Sequence, residues 1–203
     1  MTSEPVTRPR PSGALRVMLK VPVLLHQLGL AQQLAKRDIL VVRTIGRRTG
    51  RERLSGLSYA VKGNTVYVIA GWGEHTDWYR NMQANPRVEV RIGTQRMPAH
   101  ARTVTDPAER DLALQLMTRI DGSPPRFLRP LIARLGLDFD AELAEALANP
   151  SQLTVVALEL AEPLTSQPTS RGMNRSTMLG LLFVATAVAS LLLAIRRSRR
   201  KQR

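Results

Sequence analysis

From residue 39 to residue 104 the chain consists of β-branched runs that stop at glycine-containing turns, a pattern that admits few folds. Residues 39–44 (ILVVRT) form one run, closed by Gly46-Arg47-Arg48-Thr49-Gly50. Residues 53–61, a turn at Lys62-Gly63-Asn64 and residues 65–70 (TVYVIA) read as a hairpin. After Gly71-Trp72-Gly73 the composition shifts, and residues 76–84 (TDWYRNMQA) predict a helix ended by Asn85-Pro86. Residues 88–92 and 96–104 predict a second hairpin across Gly93-Thr94, with alternating bases on its outer face. Thr105-Asp106-Pro107 starts a helix with Thr or Asp as cap and proline in the first turn, and residues 154–160 (TVVALEL) supply a last strand. Five or six strands, a few outer helices and no βαβ alternation predict an α+β domain built on a small antiparallel β-barrel.

The flanks differ in kind. Residues 1–13 carry three prolines among polar residues and predict a disordered lead-in. Residues 14–37 space Leu15, Met18, Leu19, Val23, Leu24, Leu28, Leu30 and Leu34 as on a helix face, which predicts one or two short amphipathic helices over the barrel, broken or kinked at Pro22. Arg16, Lys20 and His26 interrupt the run and no small-residue cleavage site follows, so it does not read as an export signal. Residues 122–150 carry Pro124, Pro125 and Pro130 early and a helical stretch at 141–148. The expected layout is a lead-in at 1–13, one domain at 14–163, a linker at 164–175, and an uncharged run of twenty residues at 176–195. As a helix that run would be about 30 Å long, the hydrocarbon thickness of a bilayer. Six bases follow it in residues 196–203, and the whole reads as a C-terminal transmembrane helix with a basic tail.

Composition removes several function classes. There is no cysteine, so disulfides and thiolate chemistry are excluded. His26, His75 and His100 are scattered, which argues against a zinc centre and against a compact Ser-His-Asp constellation. Of the net charge of +14, the eight Lys/Arg of residues 166–203 account for more than half and leave +6 for the rest. With eight aromatic residues and none interleaved with a basic patch, nucleic-acid binding is not expected. Arg47, Arg48, Arg51 and Arg53 converge where Gly46 and Gly50 let the backbone come close. They suit phosphate or carboxylate, and they equally suit a solvated hairpin tip.

Two separated motifs carry a resemblance over about residues 31–114 plus the last strand. The series Thr44-x-Gly46-Arg47-Arg48-Thr49-Gly50-x-x-Arg53, then Trp78-Tyr79-x-Asn81-x-x-Ala84-Asn85-Pro86-x-Val88-x-Val90, resembles the deazaflavin-dependent nitroreductase and quinone reductase family of actinobacteria. The resemblance implies a split, FMN-binding-like β-barrel that binds coenzyme F420, a reduced 8-hydroxy-5-deazaflavin with a phosphodiester and an oligoglutamate tail. FMN is less expected. By resemblance, Arg47, Arg48, Thr49 and Arg53 contact phosphate, and Leu54, Ser55, Gly56, Leu57 and Ser58 pass the deazaflavin. Ile69, Ala70, Gly71 and Trp72, and then Asp77, Trp78, Tyr79, Arg80 and Asn81, line the cofactor further on. Ser58, Tyr59 or Tyr79 could relay a proton to an acceptor that has taken a hydride.

One departure bears on the substrate. Residues 119–135 contain no tyrosine where nitro-reducing relatives have several, and Gly71 stands where they have a serine. That shifts the expected acceptor from nitroimidazoles to a membrane quinone, with the catalytic domain on the cytoplasmic face of the cell membrane and the tail crossing. The positive-inside rule favours the reverse orientation, since six bases follow the span and only Arg171 and Arg175 closely precede it. Two other functions fit the same residues: a non-catalytic deazaflavin or flavin carrier, and a membrane-anchored protein whose arginine turn grips anionic lipid.

Overall fold

Each strand forms where the alternation demands it, and six of them close on one another. A computed structural model describes residues 19–71, 73–119 and 153–164 of the chain. The strands are β1 (Ile39–Ile45), β2 (Glu52–Lys62), β3 (Thr65–Ala70), β4 (Arg87–Ile92), β5 (Gln95–Thr103) and β6 (Thr154–Leu160). All neighbours are antiparallel, and the order around the barrel is β1-β2-β3-β6-β5-β4, with β4 returning to β1. Among the described residues the α-helices are α1 (Val21–Gln27), α2 (Ala31–Ala35), α3 (Asp77–Ala84) and α4 (Pro107–Met117), with a 3-10 turn at Gly73–His75. The expected α+β antiparallel barrel is thus observed. The lead-in, the linker beyond Leu164, the apolar run at 176–195 and the basic tail lie outside the described residues. Among the described residues no helix is long and apolar enough to cross a membrane.

The barrel interior is packed by Leu40, Val42, Tyr59, Val66, Val68, Val90, Met97, Val156 and Leu158, with Tyr79 and Met82 of α3 against them. Residues opposite one another on paired strands share a face, so Leu40 with Leu57 and Val68 with Tyr59 point inward, and Val41 with Gly56 point outward. The outer face of β3 and β6 is also dry: Tyr67, Val155 and Ala157 pack on Ala113 and Leu114 of α4. With helix on one side and core on the other, β6 reads as a nearly continuous apolar run.

The helix starts follow local chemistry. Asp106 caps α4, its carboxylate accepting the Glu109 N–H at 2.9 Å, with Pro107 in the first turn. Pro22 does not break a helix as expected; it lies in the first turn of α1, where its missing N–H has no intrahelical role.

α4 is held to the barrel by a charged cluster. Arg102 of β5 forks onto both Glu109 oxygens at 2.9 and 2.7 Å and reaches Glu159 of β6 at 2.7 Å, while the Tyr67 hydroxyl donates to Glu109 at 3.0 Å. The hydrogen bond from Arg102 holds the Glu109 carboxyl below its ordinary range. A depressed folded pKa contributes stability above the unfolded value that is lost as pH falls through the folded one. Glu109→Gln should therefore cost about 1 kcal/mol near neutral pH for this partly exposed pair. Chemical denaturation as a function of pH checks this: the gap between wild type and variant should hold from neutral pH to about pH 5 and close below about pH 4.

Candidate functional site

Two strands that begin as a hairpin part company, and the candidate site lies where they separate. β2 pairs with β1 along Glu52–Ser58 and with β3 only from Tyr59 to Lys62. β3 pairs with β6 along its whole length, so past Val68 its Ile69 and Ala70 keep only Val155 and Thr154 of β6 as strand partners among the described residues. Among the described residues, the second edge of β2 over Glu52–Ser58 therefore has no strand partner, and the end of β3 at Ile69, Ala70 and Gly71 faces away across a gap. An unpaired strand edge presents a row of backbone donors and acceptors. The gap is the split of the barrel, and two of the segments expected to line a cofactor flank it. Trp72 lies outside the described residues.

Period-two alternation divides Leu54–Ser58 between two faces. Ser55 and Leu57 point inward with Val42 and Leu40, while Leu54, Gly56 and Ser58 point outward with Arg43, Val41 and Ile39. The outer side is not free at Gly56: a Cβ there would overlap Pro22 Cβ and lie 2.9 Å from Pro22 Cγ, because α1 rests directly on the strand. By contrast, a Cβ at Gly71 or Gly73 would meet nothing within 4 Å among the described residues.

The turn joining β1 to β2 stands beside the gap. It is closed by Gly46 N–H to Arg51 carbonyl at 2.8 Å and Gly50 N–H to Gly46 carbonyl at 2.8 Å. Gly50 takes φ +62°, a left-handed conformation that a side chain disfavours. The four arginines do not act alike. Arg47 turns onto α3, its backbone N–H and Nη1 both donating to Asn81 Oδ1 at 3.2 and 3.1 Å, and its Nη2 to Asp77 Oδ1 at 3.0 Å. Asn81 is buried and passes a 3.4 Å hydrogen bond from Nδ2 to the buried Thr44 Oγ1. Arg48, Arg51 and Arg53 are exposed and, among the described residues, have no acidic partner. Thr49 is exposed, and its hydroxyl accepts the Arg51 N–H at 3.4 Å.

Helix α3 presents less to the gap than its sequence suggests. Trp78 and Tyr79 are buried in the barrel core, edge to face at 6.2 Å. Arg80 Nη2 is 2.9 Å from His75 Nδ1. The two tyrosines expected as proton relays are occupied or enclosed. Tyr79 shares its hydroxyl with Thr103 Oγ1 at 2.9 Å and accepts from Gln83 Nε2 at 3.1 Å. Tyr59 sits inside the barrel, and burial, reinforced by Asp38, pushes its phenol up to about 12. Ser58 is half-buried on the outer face. Thr44 was missed as a site residue. It opens the first motif at an inward, buried position, a place where a hydroxyl needs a partner, and that partner is in the second motif.

Residues 23–122 match the family model described as F420H(2)-dependent quinone reductase. The chain is 34% identical over 68 residues to an F420H(2)-dependent quinone reductase of Mycobacterium tuberculosis, covering 32% of this chain and 46% of that one. It thus spans about half the length of the curated relatives it matches. Among solved structures, an F420-H2 dependent reductase superposes with a TM-score of 0.41 at 22% identity, covering 61% of this chain and 95% of the other. A heme storage protein of Vibrio cholerae gives 0.40 at 17% identity, covering 68% and 89%.

The contact of Pro22 with Gly56 yields a stability test. Gly56→Ala should force α1 off the strand and cost about 1–3 kcal/mol, the range for overpacking a filled contact. The check is the denaturant midpoint; an unchanged value would mean that the helix yields freely.

Proposed function

We propose, from the match of residues 23–122 to the F420H(2)-dependent quinone reductases, that this chain reduces a quinone-like or other electron-poor small molecule with coenzyme F420. The observation that carries the reading is the meeting, at one gap, of an unpaired β2 edge, the open end of β3 and three exposed guanidinium groups without acidic partners among the described residues. A flat ring with a polyanionic tail has the chemistry to use both parts. Arginine forks suit phosphate and carboxylate, and an open strand edge suits a ring that carries amide-like donors and acceptors.

The coenzyme supplies a hydride from its reduced ring when bound. The protein's part in this reading is to hold and orient. Arg48 and Arg53 take the anionic tail, with Thr49 beside them. The β2 edge from Leu54 to Ser58 runs along the ring, Ser55 and Leu57 offer side chains on the inner side, and α1 closes the outer side at Gly56. Ile69 to Gly71 form the facing wall, where missing side-chain bulk leaves room for an acceptor. Holding donor and acceptor in register is the larger share of the catalysis such a site must provide. Tyr59 and Tyr79 are poor proton donors in this arrangement, so the proton comes through Ser58 or from water at the open mouth. The acceptor is a lipid-soluble quinone in this reading, and residues 176–195 tether the domain to the cytoplasmic face of the membrane.

Two experiments test this. Titration of F420, read by its fluorescence, should give dissociation constants about 10- to 150-fold weaker for Arg48→Ala and Arg53→Ala, the equivalent of losing one charge-assisted hydrogen bond each. Steady turnover of the reduced coenzyme with menadione separates a reductase from a carrier, which would bind but not turn over. For the tether, a chain truncated before Arg171 should remain active and leave the membrane fraction. If it still pellets after a high-salt wash, residues 176–195 are not the anchor.

A further inference from the structure

Within the reading above, the four arginines of the turn would be equivalent only if all were free to meet the ligand. Arg47 is not. Asn81 Oδ1 takes its backbone N–H and Nη1, and Asp77 takes Nη2 at 3.0 Å, with the Asp77 carbonyl 3.5 Å from Nη1. The amide at position 81 is used at both ends, since its Nδ2 reaches Thr44 at the last inward position of β1 before the turn. One buried side chain on α3 thus holds the strand before the turn and the first arginine within it. A carboxylate at 81 could accept from Arg47 but could not donate to Thr44, and alanine could do neither.

The electrostatics point the same way. Four cations in seven residues repel one another, and among the described residues Asp77 is the carboxylate that takes charge from this turn, while Glu52 pairs with Arg43. A loose turn would spread its charges and bind a polyanion only after being ordered, and that ordering cost comes out of the affinity. Fixed on α3 in advance, the turn presents Arg48 beside Arg53, which β2 already holds opposite Thr44.

We propose that Arg47 and Asn81, supported by Asp77, are positioning residues that fix the Gly46–Arg51 turn on α3 before the coenzyme binds, leaving Arg48 and Arg53 as its anion contacts. This inference rests on the deazaflavin reading, and two separate readouts distinguish their failures. One is F420 affinity by fluorescence. The other is the rate of tryptic cleavage after Arg48 and Arg51 in the protein without coenzyme, which reports the order of the turn alone.

The expected result is that Arg47→Ala and Asn81→Ala each weaken F420 binding about tenfold or more. The double variant should be no weaker than the poorer single variant within about twofold, because the two act as one unit. Both should speed tryptic cleavage, and kcat at saturating coenzyme should hold while the half-saturating coenzyme concentration rises. Asp77→Asn changes an exposed side chain and should fold normally, so it carries the test if Asn81→Ala does not fold: it should move both readouts in the same direction by less. Losses that multiply in the double variant, with cleavage rates equal to wild type, would overturn the proposal and make Arg47 a direct contact. A wild-type protein that does not bind F420 would overturn the coenzyme reading and the role given to the lock, whatever the cleavage rates show about the turn.

Discussion

A β-strand has two edges, and over Thr65–Val68 β3 gives one to β2 and the other to β6. Its register with β6 extends through Ile69 and Ala70, whereas its register with β2 stops at Val68. Beyond Val68 the end of β3 stays on β6 alone, while β2 over Glu52–Ser58 stays on β1 alone among the described strands. Each strand keeps one ladder through the separation, and the edges that face the gap have no strand partner among the described residues. All the features assigned to function lie around that parting: the unpaired edge, the arginine turn above it and the glycines opposite. β6 alone holds the end of β3 beside a site to which none of its own residues has been assigned.

Much of the barrel was legible in sequence because alternation and turn chemistry are local signals. The hairpins at Lys62-Gly63-Asn64 and Gly93-Thr94, the Asp106 cap and the Asn85-Pro86 stop all lie within a few residues of where they act. The inward aim of Tyr59 was available too, since it is two residues from Leu57 on the same strand. The division of labour among the arginines was not, because Arg47 and Asn81 are separated by 34 residues and nothing local marks their contact. Nor was the end of the β2–β3 ladder at Val68, since β3 itself runs on to Ala70 and nothing local marks the stop. The covering of Gly56 by Pro22 was hidden for a related reason: a proline that reads as a helix breaker is, at the first turn, a helix starter whose ring needs a flat place to lie.

The charged groups divide into two kinds with different purposes. Around α4, Arg102 is saturated by Glu109 and Glu159, and Tyr67 completes the set, so the charges end in contacts that fasten a helix to the sheet. Beside the gap the balance is left incomplete among the described residues: Arg47 is matched, and the next arginines are not. A fold that satisfies its charges in one place and leaves them open in another carries a local positive potential that no count of residues reveals.

The contact of Pro22 with Gly56 has a mechanical meaning. Packed interiors compress little, and between α1 and β2 there is no clearance left to take up. The β2 wall of the gap is accordingly stiff, backed by a helix that touches it atom on atom. On the opposite wall, an added Cβ at Gly71 or at Gly73 beyond it would meet nothing within 4 Å among the described residues. A cleft with one rigid and one compliant side holds a constant partner on the first and adapts to variable ones on the second. Differences in the size and shape of the molecules such a site accepts would thus be absorbed by small backbone shifts near Gly71, while the β2 side keeps its geometry.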